Sequence, residues 1–400
     1  MTEKRVIKSV RDAYFNVPFY RQKYDAAGID INRIRRLEDM KLLPVLTKED
    51  VRKNYPGDMV RWGTNLKKCY HSNTSGSSGQ PLSFIISPSG YAYYLAESAR
   101  IYSMIGYRPW HRSCYLRLVP MNLPRASSSR QTHISSGQPI SKQIEKLKRA
   151  RPDLIDTGVV RMLNIAMHLN EEDLKYIKPR FITVNSEMST EAEREYISSV
   201  FKCPVYDEYG TEEVWSVATQ CLKHRYHISS DSVWLEFIDA QGQDVKDGEA
   251  GDIFITTTRS EAMPFIRYAI GDRGCPETRV CDCGYKSPLM KSIEGRADDW
   301  LVLSSGKLFA PSLILSTYGK TLSQNPRLFD QFKIIQKKHD LLILQYVKGQ
   351  NFDIKEVEKL VEDLKSLFDE PMSILSEEGQ PHPGPKRQTL QSLVPHDHRR

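Results

Sequence analysis

Residues 71–87 read HSNTSGSSGQPLSFIIS. The first half is rich in glycine, serine and threonine. From Pro81 onward it becomes an apolar run with the pattern of a strand. Two readings compete. Such a stretch is a slack polar linker, or it is a loop that closes around an anion. Glycine lets a backbone approach a phosphate, and consecutive amides form an anion-binding nest. The stretch is not a Walker motif, because no lysine follows Gly79 and the glycine spacing differs.

Length and composition narrow the context. Four hundred residues exceed one common core, so two or three packing units are expected. The chain is 40% hydrophobic and 27% charged, a globular balance, and its net charge of +7 is mild for this size. Basic blocks such as KLKRAR (146–151) are dispersed and fit solvated helix faces. No nucleic-acid module accompanies them, so nucleic acid is not an expected partner. The N-terminus carries charges every few residues, unlike a secretory segment. No apolar run approaches the ~18 residues that a membrane span needs. Seven cysteines, an odd number, fit reduced thiols in a cytoplasmic protein, some of them on metal, better than a disulfide framework.

Working outward along the chain, residues 3–26 have helical apolar spacing broken near Pro18. Thr47 and Asp50 make a capping box, and so do Thr190 and Glu193. Helices are expected over 90–106, 141–150, 158–169 and 190–201, with strands at 112–120, 181–187 and 203–210. Residues 124–139 read as a polar loop. This alternation predicts an α/β fold: a large N-terminal domain of βαβ units. Residues 228–297 change character to β runs separated by Gly and Asp turns, an antiparallel β subdomain. Residues 298–400 read as a small α+β domain, so the expected domains are 1–297 and 298–400.

Three further stretches carry chemistry. DEYGTEEV (207–214) ends a strand in a Tyr-Gly turn followed by two glutamates, and carboxylates at a strand end can hold a metal on a phosphate. FIRYAIGDRG (265–274) puts Asp272 in a Gly-flanked turn, suited to ribose hydroxyls or to an ordinary Asx turn. EGRADD (294–299) places Arg296 and Asp298 at the change of character, where a charged linker would also fit.

TSGSSGQP, YGTEE, RYAIGD and GRADD, in this order, resemble the motifs of the adenylate-forming superfamily of acyl-CoA synthetases. NVPFYRQKY (16–24), LPVLTKEDVRKN (43–54) and FITVNSEMSTEAE (181–193) look specifically like its phenylacetate-CoA ligase branch, which includes capsule-biosynthesis homologues. The resemblance covers nearly the whole chain. It implies ATP-dependent activation of a carboxylic acid through an acyl-adenylate, then acyl transfer, by default to CoA. It implies that Thr74, Ser75, Gly76, Ser77, Ser78 and Gly79 cradle the β- and γ-phosphates. Tyr209 would lie on adenine, with Gly210 and Thr211 turning the chain beside the nucleotide, and Glu213 would be the Mg²⁺ carboxylate. Asp272 would hold the ribose, with Arg267 and Arg296 at the nucleotide edge. Asp298 matches the family hinge, about which a mobile C-terminal domain swings. Lys386 in PGPKRQTLQSLV is the candidate adenylation lysine.

Two departures qualify the match. Glu212 stands where the family has a hydroxyl, and a second carboxylate repels phosphate unless it meets the cation or turns away. The family's Gly-Lys is Gly384-Pro385-Lys386 here. Two alternatives therefore stay open: an adenylating ligase that passes the acyl group to an amine or a carrier-protein thiol, and a non-catalytic nucleotide-binding homologue. A homodimer fits the branch.

The cysteines form a second constellation. CLKHRYH supplies Cys221 and His227, and CDCG supplies Cys281 and Cys283. Three thiolates and an imidazole make a closed site for structural Zn²⁺, and some branch members have a similar pattern. His224 offers an alternative to His227, Cys275 is nearby, and free buried cysteines are the competing reading. The acyl pocket is not legible. Tyr93, Tyr94, Tyr102 and Tyr107 fit core positions better than substrate contacts, and Arg125, Arg130 and His133 stand in a loop placed to cover the site or meet an acceptor.

Overall fold

The computed structural model describes residues 2–74, 81–118, 130–259, 261–379 and 389–395, apart from the side chains of Asp298 and Ser323. It divides into two compact units, residues 1–106 with 208–293, and residues 107–207 with 294–400. Both mix helices and strands, in line with the expected α/β class. Among the described residues, no helix is long and apolar enough to cross a membrane.

The first unit opens with the helix Thr2–Asn16, which buries Val6, Ile7, Val10 and Ala13 along one stripe. It stops where Pro18 starts the helix Pro18–Ala26, since proline has no N–H to continue a ladder but suits a first helical position. The helix Lys48–Asn54 begins with the expected capping box: Asp50 N–H donates to Thr47 Oγ1 at 3.1 Å, and Thr47 N–H donates to Asp50 Oδ2 at 2.9 Å. An antiparallel ribbon, Tyr70–Asn73 against Ser83–Ile86, leads into the helix Pro88–Met104. The unit's main sheet runs from residues 208–211 through Trp215–Gln220, Tyr226–Ile228, Leu289–Arg296, Tyr268–Glu277 and Gly251–Thr257 to Val233–Ile238. Pairing is antiparallel from residues 208–211 to Leu289–Arg296, and again from Tyr268–Glu277 to Val233–Ile238, as the Gly- and Asp-punctuated sequence predicts. Tyr94 is buried and stacks on Trp215 at 5.5 Å, so it is a core residue.

In the second unit a parallel sheet runs Gln131–Ser135, Ser113–Arg117, Leu154–Gly158, Phe181–Asn185 and residues 205–207. The strand Gln131–Ser135 corrects the expected polar loop over 124–139, whose described part contains this strand. An edge strand has one neighbour only and tolerates polar residues, which hid Thr132 and Ile134 among serines and glutamines. The helices Ile140–Ala150, Val159–His168 and Glu191–Phe201 pack their apolar faces on Leu116, Ile155, Ile182 and Val184.

The C-terminal part has the expected α+β character. The strands Ser373–Glu378, Leu341–Lys348, Phe329–Lys338 and Leu390–Ser392 form a sheet with the helices Pro311–Gln324 and Ile354–Lys365. Its grouping with residues 107–207 has a local cause at Gly319. A Cβ there would stand 2.8 Å from Thr190 Oγ1 and 2.9 Å from Ala192 Cβ, so glycine permits the helix to approach the start of Glu191–Phe201.

Glu97 is an exception to the apolar burial of the first unit. It lies buried on the helix Pro88–Met104, where desolvation pushes its carboxyl up to about 7. Ser232, Arg100 at 3.9 Å and Arg259 oppose that shift, while Asp231 adds to it. A carboxyl with a raised folded pKa binds more protons folded than unfolded. Its full contribution is present below about pH 4.5 and is lost as pH rises through 7. Glu97→Gln should therefore match the wild type in stability at pH 4.5 and exceed it by about 3 kcal/mol near pH 8. Denaturant melts of the two proteins across this range test it; a gap that does not change with pH refutes it.

Candidate functional site

The strand Val205–Thr211 carries Tyr209 into the sheet of the first unit. The Tyr209 hydroxyl donates to Asp272 Oδ2 at 2.8 Å, so two residues 63 positions apart meet. Between Tyr209 and Gly210 the pairing slips into a bulge, and a Cβ on Gly210 would stand 2.3 Å from the carbonyl oxygen of Trp215. Only glycine fits there. Gly271, just before Asp272, has φ +85°, which again favours glycine.

Glu213 is 8% exposed, and its Oε1 accepts a hydrogen bond of 2.9 Å from the hydroxyl of Tyr268. Burial, then the Glu213 carboxylate, push the Tyr268 phenol far up, so it keeps its proton and donates. The neighbouring Glu212 is exposed. The two carboxylates thus part, and the extra one is in solvent. Thr211 Oγ1 accepts from Val214 N–H at 3.3 Å and closes this turn.

Thr74 directly follows the first strand of the ribbon. It exchanges two hydrogen bonds with Leu82, N–H to carbonyl and N–H to Oγ1, each 2.9 Å. Ser75, Gly76, Ser77, Ser78 and Gly79 lie outside the described residues, as does Lys386. Arg296 is exposed at the end of the strand Leu289–Arg296, in the second unit, and Asp298 falls in the short turn Ala297–Asp299 that follows.

Arg267 does not join Tyr209 and Asp272. It is 5% exposed, and its Nε donates to both oxygens of Glu236 at 3.1 Å. Its Nη1 reaches the carbonyls of Leu43 at 2.7 Å and Lys41 at 3.3 Å. Burial pushes the Glu236 carboxyl up and the guanidinium opposes this. The resemblance set Arg267, the first residue of RYAIGD, beside the nucleotide, but Arg267 precedes the strand Tyr268–Glu277 with left-handed backbone, φ +48°, and its side chain is taken up by Glu236. Tyr268 bonds to Glu213, and Arg267 bonds to Glu236.

Sequence reasoning missed Tyr268 itself. It also missed two cations on the helix Lys48–Asn54, which packs along Tyr268–Glu277. Lys48 Nζ stands 3.3 Å from the place a Cβ on Gly271 would take, and the charge of Arg52 acts on Tyr268. Their spacing of four on a capped helix was the available signal.

The second constellation assembles. One ligand atom each of Cys221, His227, Cys281 and Cys283 lies within 4.8 Å of the others. Cys221 Sγ is 3.7 Å from Cys281 Sγ, close to the edge of about 3.8 Å of a tetrahedron with bonds of about 2.3 Å. His227 Nδ1 contacts Ser287 Oγ at 3.0 Å, leaving Nε2 3.2 Å from Cys283 Sγ. Burial and Arg225 lower the His227 pKa, which favours the neutral ring a metal requires. Among the described residues the group is these four; His224 and Cys275 stand outside it.

No family model matches the chain. It is 28% identical over 326 residues to a phenylacetate-coenzyme A ligase of Escherichia coli, covering 78% of this chain and 74% of that protein. To the corresponding ligase of Thermus thermophilus it is 26% identical over 317 residues, covering 76% and 71%. Protein CapK of Staphylococcus aureus is 25% identical over 350 residues, covering 82% and 73%. Among solved structures, 2-hydroxyisobutyryl-CoA ligase with its acyl-AMP superposes with TM-score 0.81 at 20% identity, over 98% of this chain and 89% of that one. The chain is thus related to phenylacetate-CoA ligases and CapK, and it has the fold of adenylate-forming CoA ligases.

The Arg267 geometry makes a stability prediction. Arg267→Met leaves Glu236 buried without its partner and should destabilise the protein by about 3–5 kcal/mol. Chemical denaturation measures this, and a loss below about 1 kcal/mol contradicts the structural role.

Proposed function

We propose that this relative of phenylacetate-CoA ligases and CapK activates a carboxylic acid with ATP and transfers the acyl group to CoA. The observation that carries the reading is the meeting of Tyr209 with Asp272, beside Glu213 held by Tyr268. In the first step a substrate carboxylate oxygen bonds to the α-phosphorus of ATP, and the bond to the β-phosphate oxygen breaks, releasing pyrophosphate. In the second, the CoA thiolate attacks the acyl carbon and AMP leaves. Both steps depend on positioning and on compensation of negative charge.

Asp272 is suited to accept from the ribose hydroxyls, and Tyr209 to lie against the adenine. A nucleotide there would take over the Asp272 carboxylate that Tyr209 now bonds. Glu213 fits a magnesium site, since a carboxylate held by one hydroxyl keeps lone pairs for a hard cation. Magnesium, when bound, offsets phosphate charge. Ser75–Gly79 supply amides and hydroxyls for the phosphates, Lys386 a charge between the α- and β-phosphates, and Arg296 a further cation. Asp298 serves as the hinge between the two half-reactions.

Pyrophosphate exchange into ATP over a panel of carboxylic acids tests the first step. Acid-dependent exchange is expected, with Glu213→Gln slower by about 10²–10³-fold, the scale of losing one charge-stabilising group. ATP binding without exchange under any acid would mean a non-catalytic homologue. Acyl transfer that needs CoA separates the thioester reading from amine or carrier-protein acceptors; hydroxylamine trapping serves as the control.

The Cys₃His group is proposed to hold structural zinc, because three thiols and one imidazole with ligand atoms within 4.8 Å of one another suit that ion and leave no open position. Purified protein should contain about one zinc per chain. Cys283→Ser should lose most of it and unfold at a lower temperature. Less than about half an equivalent in the wild type counts against the assignment.

A further inference from the structure

The parallel sheet of the second unit has unlike faces. One is apolar, with Leu116, Ile155, Ile182 and Val184 in the core. On the other, strand register sets Tyr115, Asp156, Thr183 and Tyr206 in one row. The next position towards the carboxyl ends holds Arg117, Gly158 and Asn185. Gly158 has no side chain, so this second row is a notch, with Arg117 on one side and Asn185 on the other. Their strands flank a third, which makes the notch about 10 Å across between backbones.

Asp156 is fully buried and accepts three hydrogen bonds. Its Oδ1 accepts from Arg117 Nη2 at 2.9 Å, and its Oδ2 accepts from Thr183 Oγ1 and Asn185 Nδ2, both at 2.9 Å. The Arg117 side chain, by contrast, is 37% exposed. A buried anion thus braces an accessible guanidinium. Ser186, just past the carboxyl end of the strand Phe181–Asn185, is exposed with φ +71°, and its hydroxyl donates to Asn185 Oδ1 at 2.8 Å. Left-handed backbone at a non-glycine residue costs energy and concentrates at functional sites. Ligands of open α/β sheets bind outside the carboxyl ends of the parallel strands. The next strand of this sheet ends its pairing at Asp207, and Glu208-Tyr209-Gly210 follow directly in the chain.

We propose that the notch receives the acyl part of the substrate and that Arg117 binds a second polar group on it. The carboxylic acid is then a hydroxy acid or a dicarboxylic acid. An aryl or alkyl acid would cover the guanidinium without replacing its water, and sites built for hydrogen bonding reject analogues that lack the matching group. Arg117 is the specificity-determining residue and Asp156 its positioning residue. The inference rests on the adenylation reading.

The test compares lactate, malate and succinate with phenylacetate and octanoate in acid-dependent pyrophosphate exchange by the full chain. At least one polar acid should exceed both apolar acids in kcat/KM by about 10-fold or more. Arg117→Leu should cut that acid by about 10²-fold, collapse the preference and leave the KM for ATP unchanged. Phenylacetate or octanoate exchanging as well as the best polar acid overturns the proposal while adenylation stands. An unchanged preference in Arg117→Leu also overturns it. If Arg117→Leu does not fold, the wild-type ranking decides alone. Exchange with none of the five, but with another acid of the wider panel, decides by whether that acid carries a second polar group. Exchange with no acid at all overturns the adenylation reading, and this inference falls with it.

Discussion

The hydroxyl of Tyr268 donates to the Glu213 carboxylate across 2.9 Å in the buried interior of the first unit, and the candidate nucleotide site depends on that bond. A buried carboxylate is costly unless something donates to it. Tyr268 meets the need with a phenol that burial and the carboxylate together keep protonated. The donor is therefore permanent over ordinary pH. The bond joins the turn after Gly210 to the strand Tyr268–Glu277. Tyr209 and Asp272 join the same two segments a second time. Two polar ties fix the spacing of groups that the sequence sets far apart.

The rest of that unit protects this alignment. Arg267, just before Tyr268, is held by Glu236 and two carbonyls, which anchors the start of that strand. Farther along the sheet, Cys221 follows the strand Trp215–Gln220, His227 lies in Tyr226–Ile228, and Cys281 and Cys283 precede Leu289–Arg296. These three strands are neighbours, so a metal held there would fasten adjacent strand ends.

Features that a few adjacent residues decide were legible in the sequence. Both capping boxes form as read, because Thr47 with Asp50 and Thr190 with Glu193 need only each other. The break at Pro18 follows from proline alone. The Cys₃His group was also legible, because cysteine and histidine have few other reasons to cluster. What stayed hidden depends on partners distant in the chain. The place of Arg267 follows from Glu236, 31 residues earlier, and that of Gly319 from Thr190. The strand Gln131–Ser135 is polar because it lies at an edge. Tyr268 looked like an ordinary strand residue until its hydroxyl met Glu213.

Exposure separates two ion pairs of the same chemical type. Arg267 and Glu236 are both buried, with side chains 6% and 2% exposed, and the guanidinium bonds inward to Glu236 and to the carbonyls of Lys41 and Leu43. Such a pair is a structural element, because no ligand can reach it. Arg117 and Asp156 share the same chemistry and a similar distance, yet one partner is accessible and the other is not. Holding a cation at the surface by a buried anion gains little stability, since water already solvates the exposed member well. It does fix the guanidinium in one orientation before anything binds, which lowers the ordering cost of recognition. A core that needed only to pack would place apolar residues on both faces of a parallel sheet. The polar face beside Gly158 is therefore explained by what it meets at the carboxyl ends of the strands.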